Sequence, residues 1–345
     1  MPKNDVPNRF SSSKNYRRLL SVTKIHFLDA RVVSYVLQDK DLVLDAVRRA
    51  YLAHGVGSSS TPQSTFLKFP DRPGDRIIAL LSRVKDELFD VAGMKWVSSV
   101  PANTGRGLQR AGATILLNSM DSGYLKAVLS AAPVNAARTA ASAALTLQVV
   151  GGTQRPNVGI VGSGLIASTT TDYIRHVLGL GRVVVSDVDP LRAQATVDRL
   201  LLEGVDAIVG SVEDALVQNV VLLATTAGEP YLDHRFRPGQ IILHLSLRDL
   251  TPAVLRDAVN VVDDFEHACR ERTSLNLAVD AYGPNELSVL EIPSLLRRDA
   301  QVQATERPIV CSPFGLGALD VATAESIYRR AVAEDLGNEL DLGDA

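Results

Sequence analysis

The sequence predicts an α/β protein: a Rossmann-type doubly wound parallel sheet joined to an α+β domain built from the chain before and after it. Three observations carry this reading. Val158-Gly-Ile-Val161 reads as a short buried strand that runs into Gly162-Ser-Gly164-Leu-Ile-Ala167, a G-x-G-x-x-A turn opening a helix. From there β-branched runs alternate with helical stretches, with strands expected at 158–161, 182–186, 206–209, 219–224, 240–245 and 259–262. Ahead of residue 150 the pattern is instead a meander of short strands separated by turns.

Taken in order, residues 1–22 are polar, basic and serine-rich and read as a tail. Ile25–Leu28 is a short strand. Asp29 and Asp41 have the chemistry of helix N-caps, and Leu42, Val47, Ala50 and Tyr51 form a helical stripe ending near Gly55. Strands are expected at Ser64–Phe69, Arg76–Leu81, Gly93–Val100, Ala113–Asn118 and Leu125–Ser130, with turns at Pro70–Gly74 and Asp121–Gly123. Alanine-rich Pro133–Val150 is a helix leading into the parallel sheet. Pro308–Ser312 is a final strand, and Gly315–Leu336 an amphipathic helix carrying Leu319, Ala322, Ile327 and Val332 on or near one face. That helix is expected to leave the parallel-sheet domain and pack on the first one. The domains are then 23–150 with 312–345, and 151–311.

A chain of 345 residues is long enough for these two domains. Its net charge of -3 argues against nucleic acid or an anionic membrane as the main partner. No apolar run is long enough to span a bilayer, and the polar N-terminus lacks a secretory core, so a cytoplasmic location is expected. Cys269 and Cys311 alone give neither a disulfide framework nor a zinc cluster, and the scattered histidines show no metal-ligand spacing. No metal is expected, and no G-x-S-x-G elbow points to a serine hydrolase.

The glycine turn has its own chemistry. Gly162 permits the tight turn, Gly164 lets the backbone approach a pyrophosphate, and Ala167 lets the helix lie close on the strand. The helix N-terminus offers free amides and a positive dipole end to phosphates. A second strand, Val183-Val-Val-Ser186, ends at Asp187, near the spacing for the acid that binds the adenosine ribose. Asp187 would repel a 2′-phosphate, and no arginine follows until Arg192, so NAD is expected rather than NADP. The loop Thr225-Thr226-Ala-Gly228 follows a strand at its carboxyl end, where such sheets bind ligands.

Three cations stand in apolar surroundings: Arg76 before Ile-Ile-Ala-Leu-Leu81, Lys95 in Gly-Met-Lys-Trp-Val, and Arg138 in a small-residue helix start. Buried cations need anions. Internal salt bridges would satisfy them singly, and so would a pocket for a substrate carboxylate, which guanidinium forks fit well. Asp249, in His244-Leu-Ser246-Leu-Arg-Asp249, follows a strand at the carboxyl edge of the sheet. A carboxylate there serves as a general acid or base, or as an N-cap for the helix Thr251–Asp257. Asp263, Asp264 and Glu266 read as a solvated strand end.

Segments in both domains resemble the ornithine cyclodeaminase/μ-crystallin family: Arg76-Ile-Ile-Ala, Gly93-Met-Lys-Trp-Val, Ala137-Arg-Thr-Ala-Ala141, the glycine turn, and Ser312-Pro-Phe-Gly-Leu-Gly-Ala-Leu-Asp320. The resemblance covers roughly residues 25–340. Asp75-Arg-Ile-Ile-Ala-Leu, Gln109-Arg-Ala-Gly, Arg270–Asn276 and Gly337-Asn-Glu-Leu-Asp-Leu are most like one branch. That branch oxidises N-(2-amino-2-carboxyethyl)-L-glutamate with NAD to L-2,3-diaminopropionate, a siderophore and antibiotic precursor, and 2-oxoglutarate.

The resemblance implies that Arg76, Lys95 and Arg138 hold the substrate α-carboxylate, with Arg72 a competitor of Arg76. It implies that Thr139 touches a cofactor phosphate and that Ser163, Gly164, Leu165 and Ile166 line the pyrophosphate. Asp187 would hold the ribose, Thr225, Thr226 and Ser246 would border the nicotinamide, and Asp249, with Lys95, would be catalytic. Arg106, Arg110 and Arg248 are candidates for further carboxylates. The family's cyclodeaminases have Gly-Asp-x-Pro-Gly-Lys where this chain has Leu-Arg-Asp-Leu-Thr-Pro, which points away from ornithine. Ornithine or lysine cyclodeaminase, alanine dehydrogenase and ketimine reductase are alternatives, as is a dinucleotide-dependent binding protein. The resemblance also implies a homodimer through the N-terminal strands, which with the terminal segment form the substrate-binding and dimerisation domain.

Overall fold

The computed structural model describes residues 24–88, 90–302 and 306–341, so the expected tail over residues 1–22 lies outside it. The chain opens with β1 (Lys24–Leu28), α1 (Ala30–Val36) and α2 (Lys40–Gly55). Asp29 caps α1 as expected. Asp39 rather than Asp41 caps α2, accepting from the Leu42 amide at 3.1 Å, and Asp41 falls in the first turn. Both places favour an acid, by hydrogen bonding at the cap and by the helix dipole within the turn, so composition alone does not separate them.

The meander follows: β2 (Ser59–Ser60), β3 (Thr65–Phe69), β4 (Arg72–Lys85), β5 (Asp90–Ser99), β6 (Ala111–Ser119) and β7 (Leu125–Ser130). The expected turn at Pro70–Gly74 shrinks to Pro70 and Asp71, with Pro73 and Gly74 already in β4. Pairing with β5 begins only at Arg76, so the missing Pro73 donor breaks no bond on that side. α3 (Ala131–Val149) then leads into β8 (Val158–Val161), α4 (Leu165–Leu178), β9 (Val183–Ser186), α5 (Pro190–Leu202), β10 (Ala207–Val209) and α6 (Val212–Leu216). β11 (Val220–Leu223), β12 (Ile241–His244), α7 (Pro252–Arg256), β13 (Val259–Val262), α8 (Phe265–Ala268) and α9 (Ser274–Tyr282) continue the alternation. The chain ends with β14 (Ser288–Glu291), α10 (Ile292–Arg297), β15 (Ile309–Cys311), α11 (Gly317–Ala333) and β16 (Asn338–Asp341).

Two eight-stranded sheets result. The first runs β16-β1-β7-β6-β5-β4-β2, with β3 also on β4, and is antiparallel except where β1 meets β7. The second is wholly parallel in the order β10-β9-β8-β11-β12-β15-β13-β14. Its central strands are buried on both faces, as their unbroken Val/Ile/Leu runs require. α11 packs on β4, β5 and α2, returning the end of the chain to the first sheet. Alanine-rich α3 touches α2, α4, β6, β12 and α11, and its small side chains let these neighbours approach. One apolar core therefore runs from Leu28 and Tyr51 through α3 to Ile160 and Val185.

Candidate active site

The parallel sheet reverses its strand order between β8 and β11, and the carboxyl ends of those strands border a groove of about 510 Å³. Gly162 turns there with φ +86°, and a Cβ on it would sit 2.7 Å from the Ala224 carbonyl, so only glycine meets both demands. Beside Gly164 a Cβ would meet nothing within 4 Å. No side chain caps α4, so its first amides, from Leu165 and Ile166 onward, and its dipole face this space. Such a helix start fits a pyrophosphate. Ser163 is turned elsewhere: its amide and hydroxyl donate to Asp187 Oδ2 at 2.7 and 2.8 Å. The Asp189 amide donates to Oδ1 at 2.9 Å. Burial pushes the Asp187 carboxyl up, but these donors outweigh it and hold its pKa below the ordinary value. Arg192 lines the same end, 3.4 Å from Asp189, while Thr225, Thr226 and Tyr231 line the other. Thr139 lies on α3, which packs against α4, and its hydroxyl donates to the Asn135 carbonyl at 2.7 Å.

Asp249 is wholly buried in the loop after β12. Its Oδ1 accepts from the Thr225 hydroxyl and its Oδ2 from the Ser246 hydroxyl. His244 Nε2 lies 3.2 Å from Oδ2, and His244 Nδ1 lies 3.1 Å from the Ser312 hydroxyl. The Tyr231 hydroxyl also reaches Asp249 and Thr225, and burial, then the Asp249 charge, push its pKa up to about 12. Burial raises the Asp249 pKa, but His244, Ser246 and Thr225 together overcome it and hold the group ionised. Helix capping is not its job: Thr251 occupies the N-cap of α7, and no side chain bonds that cap. The half-buried Thr225 and Ser246 hydroxyls sit on a carboxylate that itself has no exposed surface.

Lys95 and Arg138 are both buried and share two partners. Lys95 Nζ donates to Asp320 Oδ2 at 2.6 Å and Asn135 Oδ1 at 3.1 Å. Arg138 Nε donates to Asp320 Oδ1 at 3.2 Å and its Nη2 to Asn135 Oδ1 at 2.8 Å. One carboxylate against two cations leaves net positive charge inside the protein. Burial lowers the Lys95 pKa to about 8, with Asp320 opposing and Arg138 adding to the shift.

Strand register puts Arg76, opposite Ser99, on the same face of the sheet as Lys95, which lies opposite Leu80. Arg76 is half-buried, and its Nε is buried without a hydrogen-bond partner among the described residues. Arg72 is instead exposed and paired with Asp75 at 3.5 Å. Arg248 donates to the Glu271 carbonyl at 2.7 Å, and burial followed by the charge of Arg76 lowers its pKa, with Glu271 opposing. The charge of Arg76 felt at Arg248 sets β4 of the first sheet near the Asp249 loop of the second. Arg106 and Arg110 are exposed in the connection between β5 and β6.

Residues 28–335 match the profile of the ornithine cyclodeaminase/mu-crystallin family. The chain belongs to that family. It is similar to the alanine dehydrogenase of Archaeoglobus fulgidus, with 26% identity over 310 residues, 87% of this chain and 93% of that one. It is 27% identical over 312 residues to the N-((2S)-2-amino-2-carboxyethyl)-L-glutamate dehydrogenase of Staphylococcus aureus, again 87% of this chain and 93% of the relative. An archaeal alanine dehydrogenase dimer with bound NAD shares the fold, with a TM-score of 0.84 at 24% identity, covering 92% of this chain and 99% of the other.

Several residues of this family member's site escape a reading of the sequence. Asp320 is the clearest: a lone acid in the apolar run Ala-Leu-Asp-Val-Ala is the mirror image of a lone buried cation, and the two find each other. His244 carries the same signal in Ile-Ile-Leu-His. Asp263 overturns the expectation of a solvated acidic cluster. It is wholly buried and accepts from the Phe314 and Gly315 amides at 3.0 and 2.5 Å, and burial pushes its carboxyl up against those bonds. Asp264 caps α8 and bonds His267 and His54, both 3.0 Å away, which hold it well below the ordinary range. Backbone amides reaching over from the loop after β15, and a histidine from α2, satisfy the two acids where water was expected to.

Proposed function

We propose that the protein is an NAD-dependent dehydrogenase of an acidic secondary amine, N-(2-amino-2-carboxyethyl)-L-glutamate, releasing L-2,3-diaminopropionate and 2-oxoglutarate. The observation that carries this reading is the charge around the site. Lys95, Arg138, Arg76 and Arg248 outnumber Asp320 and Asp249, the charge of Arg76 acts on Arg248, and among the described residues no acidic side chain is bonded to either. A substrate with three carboxylates supplies the missing anions. Ornithine or lysine would instead bring a terminal ammonium towards two guanidinium groups, a like-charge contact. The similarity to the staphylococcal enzyme named for this substrate supports the same reading.

The glycine turn, Leu165, Ile166 and Thr139 hold the cofactor's phosphates, Asp187 its adenosine ribose, and Thr225, Thr226 and Ser246 its nicotinamide end. NAD bound there supplies the hydride acceptor. Arg76, Lys95 and Arg138 grip the α-carboxylate and aim the substrate Cα–H, and orientation of this kind is worth several kcal/mol of barrier, on the order of 7 or more at best. Lys95, at about 8, also exchanges a proton close to neutral pH. The imine left on the substrate takes up water, whose proton is drawn towards the charge of Asp249 through the Thr225 hydroxyl.

NADH formation measured in parallel with this amine, ornithine and alanine tests the reading. The acidic amine is expected to turn over fastest by at least tenfold. Turnover of ornithine or alanine alone would remove the proposed substrate, and tight NAD binding with no turnover of any amine would favour a binding protein.

A further inference from the structure

The register of the first sheet adds a further cation to the face that carries Lys95 and Arg76. Lys68 of β3 lies directly opposite Arg76 of β4, which in turn lies opposite Ser99 of β5, so the three side chains leave one face. α11 covers that face at Gly93 and Ser82, which are paired, and its Val321 side chain would stand 3.2 Å from a Cβ on Gly93. Lys68 and Arg76 lie at the other end of these strands, where the charge of Arg76 is felt at Arg248 of the Asp249 loop.

Two like charges directly opposite on an antiparallel pair repel, with Cβ atoms only about 5 Å apart. Among the described residues no acidic side chain relieves this pair. Arg76 Nε is buried without a hydrogen-bond partner, and the neighbouring Asp75 is turned to Arg72 at 3.5 Å. Lys68 is exposed and sits over the Phe66 ring, 5.7 Å from its centre. Phe66 lies opposite Ile78, on the Lys95 side of Arg76, so the ammonium leans into the site. Arg248 donates to the Glu271 carbonyl through Nη2, and the Glu271 carboxylate bonds neither Arg248 nor Arg76.

We propose that Lys68, with Arg76 and Arg248, seats a second carboxylate of the substrate, remote from the carbon that gives up hydride, and so selects acidic amines. The proposal rests on the secondary-amine reading above and assigns the specificity of that site to a residue outside the α-carboxylate seat.

Strand geometry separates the two seats. Arg76 stands at Ser99, four residues along from Lys95, a displacement of about 13 Å at the usual strand rise. One carboxylate cannot fill that length, whereas a substrate with carboxylates on both arms can. With Lys95 and Arg138 on the α-carboxylate, the five donors of Arg76 let it reach both anions. Lys68 and Arg248 then hold the far one from opposite sides, one from each sheet. Alanine has no second carboxylate, and ornithine would bring an ammonium there, so both leave the Lys68–Arg76 repulsion unrelieved.

Binding of keto acids to the NADH-bound enzyme, read by NADH fluorescence, tests the seat without turnover. 2-Oxoglutarate carries the second carboxylate and pyruvate does not. The unaltered enzyme is expected to bind 2-oxoglutarate at least tenfold more tightly. In Lys68→Met that preference should fall about tenfold, and Lys68→Arg should restore it. Equal affinity for the two acids in the unaltered enzyme, or an undiminished preference in Lys68→Met, overturns the proposal. Without ligand, Lys68→Met should have an equal or higher Tm, because one of two opposed cations is gone. A Tm lower by several degrees would mark Lys68 as structural and also overturn it. If no amine yields NADH, the substrate reading fails, while the keto-acid preference still decides whether the second seat exists.

Discussion

At the scale of single residues the site works by placing charges where water cannot screen them. Asp187 keeps its negative charge because the turn's own amide and hydroxyl point at it, and Arg192 stands at the same end of the groove. Asp187→Asn keeps the side-chain shape and removes the repulsion for a 2′-phosphate. We expect the KM for NAD to rise about tenfold and NADP to become a usable cofactor, read from initial rates with each. An unchanged preference would place selection elsewhere.

Lys95 gives a second prediction. Its depressed pKa means that it loses its charge near pH 8 rather than 10.5, so the positive seat weakens as pH rises through that value. The kcat/KM is expected to fall above about pH 8, and in Lys95→Met this fall should vanish while kcat/KM drops about 100-fold throughout. The seat's cations were legible in the sequence because charge in an apolar run is conspicuous. Their shared anion was not, because Asp320 is 225 residues from Lys95 and only the fold brings them within 2.6 Å.

At the scale of elements, a short loop between β15 and α11 sets the cations of the proposed substrate seat. Gly315 has φ +99°, and a Cβ on it would lie 2.5 Å from Arg138 Nη1. Asp263, at the end of β13, holds the Gly315 amide and so fixes the loop against Arg138. Gly315→Ala should cost about 1–2 kcal/mol in backbone strain and displace Arg138 as well. A Tm lower by several degrees with a KM raised more than kcat is lowered is the expected result; a normal KM would separate the loop from the seat. The parallel strands were readable because two-sided burial leaves unbroken Val/Ile/Leu runs, as in Val220–Leu223. β14 and β16 were not: Ser-Val-Leu-Glu is half-buried throughout and Asn-Glu-Leu-Asp exposed throughout, so neither carries a period of two.

For the whole molecule, the two faces of the first sheet do different work. Arg76 and Lys95 point inwards, while the register puts Leu67, Ile77, Ala79, Leu81, Met94 and Trp96 on the outer face. Leu67, Leu81 and Trp96 are 50%, 46% and 43% exposed, a contiguous apolar surface of the kind that marks an interface. We propose that two copies pair through it about a twofold axis, as such self-complementary patches do. Leu81→Asp with Trp96→Asp should give a monomer by light scattering with unchanged circular dichroism, and a dimer of wild-type mass would place the contact on another face.

The return of α11 and β16 to the first sheet also orders events during synthesis. By residue 311 every strand of the parallel sheet has been made, whereas the first sheet still lacks its β16 edge, the α11 cover and the anion for Lys95 and Arg138. A chain stalled on the ribosome with residues up to 316 exposed is expected to retain NAD yet to be cut by protease within β4–β6; protection there would mean that the meander folds without its last helix. On the proposed function the nascent protein acquires its grip on the cofactor well before its grip on the substrate, and the final 25 residues described, 317–341, decide when it becomes an enzyme.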